Sequence, residues 1–554
     1  MQKSLLCRRF FIMKKTIILF FLIFTIALIL VPGCAKRGSI TGGVKDTIAP
    51  ILLYSKPANK SANFTSKKIK IQFNELIKIK DLNKQLIISP PLKNRPIILP
   101  QGLPSKSITI ELNDTLQPNT TYCFNFGNSI KDNNESNPYN QFKYIFSTGK
   151  YIDSLRFSGI LKDARSLTKD DYITVCLYKA EQFNDSTIFR SKPSYVTNTL
   201  DSTEVFRFSN LKQGLYYVVA LKDKNQNLIY DPKDEKLSFF THPISIPSDT
   251  IYELKLFKEQ QTFNVFEPKQ QSLNKFYLPY QGYIEEPYTI SAIVDQNKEI
   301  KIESFYLKDK DSLELFIPIL EKDNDSIEFN FKNTSIDTFF KKKLKKFKTL
   351  DTLIISSKDK TNLHPLNDYI LLHHTPIKKV NKKQISLSKN DTTSIDFEIT
   401  LRENLKELAI KFDKEEKTSY QLQILPNAIS DNYGYQTTDT LNYTFKTNAL
   451  NDYGNLNVIF NNLPKHPLIV ELLNQKETVL YTQILDPKKD NSTYFKWITP
   501  KKYLLRVTID KNNNGRWDSG NYLLKQQPEE TIYFHTPLEV RANWDVEQTM
   551  DLSF

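Results

Sequence analysis

Leu116-Gln117-Pro118-Asn119-Thr120-Thr121-Tyr122-Cys123-Phe124-Asn125-Phe126 is the stretch whose reading decides the fold. It runs into a Tyr-led alternation in which Tyr122, Phe124 and Phe126 share one face and Cys123 and Asn125 the other, the period of two expected of a strand. An Ile130-Lys131-Asp132 turn follows, and fourteen residues beyond Asp132 comes Phe146-Ser147-Thr148, a hairpin-sized spacing. The series then returns. Tyr420 leads a second alternation, Ile429-Ser430-Asp431 repeats the turn, and Phe445-Lys446-Thr447 closes it at the same distance. Internal repetition of this kind sets the architecture before any single segment does.

A second repeat pairs Tyr216 to Asp231 with Tyr503 to Asp518. Seven residues after each Tyr comes Asp-Lys-Asn-x-Asn, then an aromatic-Asp step (Tyr230-Asp231, Trp517-Asp518), then His242-Pro243 or His535-Thr536-Pro537. Abundant Tyr and Phe, many short Val, Ile and Thr alternations and only 14 Gly among 554 residues indicate ordered, all-β material. A chain of this length holds about four or five units. The expected division is 46–150 and 366–450 for the first kind of unit, 151–258 and 451–554 for the second, with a β domain of unassigned type at 259–365.

Met13-Lys14-Lys15 followed by the apolar run Thr16 to Val31 has the layout of an export signal, with Met13 a plausible start. Residues 1–33 are therefore expected to be a signal peptide, and 34–45 the beginning of a Gly-containing tether. Val31-Pro32-Gly33-Cys34 resembles the lipobox of bacterial lipoproteins, with Pro32 where a small residue is usual. Cys34 is the expected lipid attachment site, because a thiolate is the nucleophile that receives the diacylglyceryl group. Removing Lys3, Arg8, Arg9, Lys14 and Lys15 with the signal takes the formal charge from +14 to +9. The remaining charges are interspersed, which argues against a nucleic-acid groove. The lysine run Phe339 to Lys348 is expected to blunt an exposed strand edge. Cys123 and Cys176 fall in different units and are expected to be buried free thiols.

With Pro57, Ile69-Lys70-Ile71-Gln72-Phe73 and Asn74-Glu75 upstream, and the Leu-x-Pro-x-Thr-x-Tyr step and closing Phe-x-Thr downstream, residues 46 to 150 resemble the S-layer-type bacterial Ig-like domain. Phe157 to Val175 and Phe206 to Val219 resemble the transthyretin-like or carboxypeptidase-regulatory sandwich. The whole order, from lipobox through tether to tandem β-sandwiches, resembles a family of Ig-like lipoproteins from Bacteroidota. That resemblance implies location and fold, and no activity.

One candidate site follows from spacing. Asp223, Asn225, Asn227 and Asp231, and again Asp510, Asn512, Asn514 and Asp518, stand at positions 1, 3, 5 and 9 of an EF-hand-type calcium loop, with Gly515 at position 6 of the second. Position 12, normally Glu, is Asp234 or Asn521, so calcium is expected to bind weakly; the alternative is an Asn/Asp-rich polar turn. His373-His374 would point to opposite faces of a strand, which disfavours joint metal ligation. No hydrolase, zinc-protease, phosphate-loop or Cys-x-x-Cys motif is present. The leading expectation is a non-enzymatic envelope scaffold, a rod of sandwiches holding an envelope protein or glycan. A glycan- or peptide-binding module using sandwich-end loops is the alternative, and an enzyme with an unrecognised site a third. After Cys34 come the basic and small residues Ala35 to Ser39, so the outer membrane's periplasmic face is favoured over the cell surface.

Overall fold

The computed structural model describes residues 46–552 apart from 200–203, 285–286, 295–297, 308–309, 321–324, 359–360, 391–392 and 403–404. The expected signal peptide, Cys34 and the expected tether to residue 45 lie outside the described residues. Within them the protein is all-β, a series of β-sandwiches. Its one short α-helix is Leu82–Gln85, and no described helix is long and apolar enough to cross a membrane.

The first and fourth units have matching topologies. In the first, strands Leu52–Lys56, Lys68–Ile79, Ser105–Glu111 and Ile97–Leu99 lie in that order in one sheet, and Ile87–Ser89, Thr121–Asn125 and Lys143–Ser147 in the other. In the fourth the corresponding orders are Ile355–Ser357, Tyr369–His373, Glu407–Lys411, Glu398–Arg402, and Ile385–Lys389, Ser419–Ile424, Leu441–Thr447. The alternation that opened the sequence reading fills the core: Tyr122, Phe124 and Phe126 are buried against Ile71, Phe73 and Ile108. Each such fully buried side chain contributes about 1.5–3 kcal/mol over its exposed state. Both tyrosine steps have the same job. Tyr122 stacks on Phe146 (5.5 Å) and its hydroxyl accepts the Gln117 N–H at 2.9 Å, while Tyr420 stacks on Phe445 (5.6 Å) and accepts the Glu415 N–H at 2.7 Å. Strand Ile355–Ser357 and the bridge strand Asn362–Leu363 pair with this fourth unit. Its sheets therefore begin ahead of the boundary expected at residue 365.

The second and fifth units also correspond strand for strand. Leu155–Asp163 sits between Val205–Leu211 and a parallel Tyr252–Leu256, as Gly454–Asn461 sits between Ser492–Ile498 and a parallel Asp545–Asp551. In the facing sheets Thr174–Lys179 with Gly214–Leu221 matches Leu468–Leu473 with Lys501–Ile509. The third unit is a sandwich of two sheets built on Lys275–Gln281 with Ser312–Phe316 and on Thr289–Val294 with Ser326–Lys332. Strand Asp337–Lys343, which carries the start of the lysine run, forms one edge of the second sheet. Cys123 and Cys176 are buried and free.

The expected rod does not form, because the fifth unit folds back onto the second. Arg506 and Arg165 converge on the buried Glu471 (2.7 and 3.4 Å), Tyr533 donates its hydroxyl to the Arg165 carbonyl at 2.7 Å, and the Arg165 guanidinium lies 5.0 Å from the Trp517 ring centre. Tyr522 enters the apolar cluster of the second unit beside Phe189, Phe239 and Phe257. The intervening units complete a circuit of contacts. Tyr433 of the fourth unit donates to the Ile317 carbonyl of the third at 2.8 Å, and buried Glu314 pairs with Lys406 across the same seam. His364 meets the Trp497 carbonyl of the fifth at 2.7 Å, and Arg516 of the fifth stacks 3.8 Å from the Tyr283 ring centre in the third. A spacing pattern cannot reveal such closure, since the contacts between units join residues from 92 to 368 positions apart.

Candidate functional site

The structure gathers Asp510, Asn512, Asn514 and Asp518 into one loop after strand Lys501–Ile509. The buried Asp510 carboxylate accepts the N–H of Asn514 at 3.0 Å on one oxygen and that of Gly515 at 2.7 Å on the other. Asn512 and Asn514 side-chain oxygens accept from Asn514 and Arg516 N–H groups, and both side-chain amides donate to the Asp518 carboxylate. The first copy repeats the backbone N–H bonds at Asp223, which accepts from Asn227 (3.1 Å) and Leu228 (2.9 Å), and at the side-chain oxygens of Asn225 and Asn227. Asp231 departs from the pattern: its carboxylate accepts from the Lys233 N–H and caps the following turn. Position 4 is left-handed in both loops (Gln226 φ +59°, Asn513 φ +60°), and so is position 6, where Gly515 (φ +74°) is matched by Leu228 (φ +62°). Glycine meets that requirement without steric cost, whereas a branched side chain does not.

Two residues that no spacing motif singled out lock these loops. Glu235 accepts the N–H groups of Lys224 (2.9 Å) and Asp231 (3.1 Å), and Glu529 those of Lys511 (2.7 Å) and Asp518 (3.0 Å). Both are buried. Burial raises both carboxyl pKa values above the usual range, with the backbone N–H donors pulling against it. Asp223 is raised in the same way. The signal was hidden by an insertion, since Glu235 follows Asp231 by four residues and Glu529 follows Asp518 by eleven. Asn521, the expected position 12, lies within that insertion and accepts from the Leu524 N–H. Among the described residues no group of three or more His, Cys, Asp and Glu side chains stands ready to hold a metal.

His373 and His374 point to opposite faces as expected: His373 is buried, with Nδ1 at 2.8 Å from the Thr375 carbonyl, and His374 is exposed. Burial, chiefly, lowers the His373 pKa to about 4. The ionisable groups near it, Glu314, Lys406, Lys275 and Asp351, pair with one another along the seam between third and fourth units. Such a network of mutually satisfied charges holds the two domains together. A cleft lies elsewhere, between the first and second units, and one wall of it is the Asp223 loop.

Residues 46–148 match the family described as Bacterial Ig-like domain. No curated protein matches the chain. Among solved structures, titin domains A168–A170 are similar at 11% identity, covering 52% of this chain and 98% of that one with a TM-score of 0.14. A structure described by the basis of Dscam isoform specificity is similar at 8% identity, covering 68% and 92% with a TM-score of 0.15, and the tandem Ig repeats of Dlar at 13% identity, covering 33% and 98% with a TM-score of 0.13.

Proposed function

We propose that this chain is a non-enzymatic interaction scaffold of the bacterial envelope, anchored by lipid on Cys34 in the manner of the Bacteroidota lipoproteins that its sequence resembles. The observation that carries the reading is the closed circuit of the second to fifth sandwiches. Buried tyrosines and charge networks fix these units against one another, while the clustered ionisable groups are consumed in that fixing. Domains joined in this way present loops and seams in constant relative positions, which suits recognition on a rigid support. The first sandwich, attached to the second, then stands between this body and the membrane.

Two measurements on one strain test it. Metabolic labelling with palmitate should mark the wild-type chain and be lost in Cys34→Ser; unchanged labelling removes the anchor. Crosslinking in intact cells followed by capture of the chain from solubilised envelope should recover envelope components that Cys34→Ser recovers poorly. Because the residues after Cys34 carry no acidic cluster, the periplasmic face of the outer membrane is the proposed location. Proteinase K on intact cells should leave the protein whole until the outer membrane is permeabilised, and rapid loss from intact cells places it on the surface instead.

A further inference from the structure

The seam between the first and second sandwiches encloses a cleft of about 510 Å³, within the size range of ligand sites. Its lining is strongly cationic. Lys84, Lys93 and Arg95 come from the first unit and Lys192, Lys222 and Lys224 from the second, against only Asp171 and Asp223. Both acids are already engaged. Asp171 pairs with Lys222 at 2.9 Å, and Asp223 accepts two backbone N–H groups of its own loop. Lys192 is held in place by the carbonyls of Leu92 (2.9 Å) and Lys93 (3.2 Å), which orient the ammonium without neutralising it. Lys93, Arg95 and Lys224 are exposed at the rim, and none has an acidic partner within ion-pair distance among the described residues.

The cleft's strands argue for one class of anion over another. An extended peptide adds to a sheet through an open edge. Here strand Ile87–Ser89, the end of its sheet, and strand Tyr195–Asn198, the end of its own, face each other, with the Val196 N–H donating to Ser89 Oγ at 3.1 Å. The two edges meet at this bond, which leaves no isolated edge for a peptide to extend. What remains for a ligand is side-chain chemistry: separated cations, amides from Asn83 and Gln226, and an apolar floor from Leu86 and Pro91. We propose that this cleft binds a short anionic saccharide, its carboxylates on Lys93, Arg95 and Lys224 and its ring faces on the apolar floor. Arg95 suits a carboxylate because its planar fork donates two parallel hydrogen bonds. The inference rests on the scaffold reading and deepens it by giving the scaffold a ligand class.

Calorimetric titration of the full chain in detergent tests this with three probes: trigalacturonate, its uncharged methyl ester, and a glutamate-rich hexapeptide. Trigalacturonate should bind, and added salt should weaken it. In Arg95→Glu/Lys224→Glu its affinity should fall about tenfold or more, a loss of about 1.4 kcal/mol or more. The melting temperature should stay unchanged, because both side chains are exposed; Lys93→Glu alone serves as an independent variant should the double one melt early. Equal binding of the methyl ester overturns the charge argument, equal or tighter binding of the peptide overturns the saccharide class, and undiminished binding by both variants overturns the location. No binding of any probe at millimolar concentration overturns the site itself. None of these outcomes depends on lipid or on membrane face, so they fail or succeed separately from palmitate labelling and envelope capture.

Discussion

The two Asp-Lys-Asn loops share their hydrogen bonds and their left-handed positions, yet they face different neighbours. The Asp223 loop forms a wall of the cleft beside the first sandwich, while in the Asp510 loop Arg516 stacks on Tyr283 of the third. The copies diverge most just beyond the ninth position. There the second copy carries the insertion that puts Tyr522 into the core of the first, with the Ser519 hydroxyl donating to the Lys258 carbonyl and the Tyr522 N–H to Glu259. Gly520 belongs to the same contact: a Cβ there would stand 2.5 Å from the Phe257 ring. The two units thus share one kind of turn, and a short insertion in the second copy joins them to each other.

The largest test of that comparison removes the anchor. Tyr522→Ala deletes a fully buried aromatic ring and should cost about 3–5 kcal/mol, with the fifth unit melting ahead of the second. Tyr522→Phe should be nearly neutral, because the buried hydroxyl has no hydrogen-bond partner in the structure. All three tryptophans, Trp497, Trp517 and Trp544, lie in the fifth unit. Their fluorescence therefore reports that unit's unfolding apart from the rest. Coincident melting of both units in Tyr522→Ala would mean that the charge network at Arg165, Glu471 and Arg506 holds the seam without the ring.

A smaller effect separates the loops themselves. Asp510 is fully buried, whereas Asp223 is partly exposed. Asp510→Ala strands two backbone N–H groups away from water and should cost about 3 kcal/mol; Asp223→Ala, where water can reach, should cost about 1–2 kcal/mol. Tryptophan fluorescence reads the first, and hydrogen exchange at the Asn227 and Leu228 amides reads the second. Equal costs would show that exposure at Asp223 brings no relief, and would break the distinction between the copies.

What was legible in the sequence was whatever depends on neighbours along the chain. Tyr122 and Tyr420, with their period-two alternations, announced two matching sandwiches because a strand's facing is fixed locally. Asp223 and Asp510 announced matching turns because Asp and Asn side chains bond to backbone groups two to five residues on. Glu235 and Glu529 stayed hidden because an insertion changed their distance from the motif. The seams stayed hidden for a deeper reason. Arg165 looks like any surface arginine until Glu471 and Arg506 arrive from more than 300 residues away. The cleft has the same origin, since Lys93 and Lys224 become one cationic surface only when two sandwiches meet.

The smallest expected effect concerns calcium, which we propose for Asp510, Asn512, Asn514 and Asp518 and not for the first copy. In the second loop Asn512 and Asn514 both reach Asp518, while in the first Asp231 is turned to Lys233. Binding must compete with bonds already made, because the Asn512 and Asn514 amides donate to Asp518 and must rotate their oxygens inward before a cation is held. Asn521 gives no help, being engaged with its own turn. A weak site follows, with Kd of about 10⁻³ M as the comparison from extracellular modules. At about 1 mM calcium the folded state then gains RT ln 2, about 0.4 kcal/mol. For a unit of roughly 100 residues that raises the melting temperature by about 2–3 °C. The rise should appear in tryptophan fluorescence, vanish in Asp518→Asn, and have no counterpart in hydrogen exchange at Asn227 and Leu228. A fifth unit that melts at the same temperature with and without calcium, even at tenfold higher concentration, would leave the hydrogen-bonded turn as the whole reason for the motif, and would make the two copies alike in everything but what they touch.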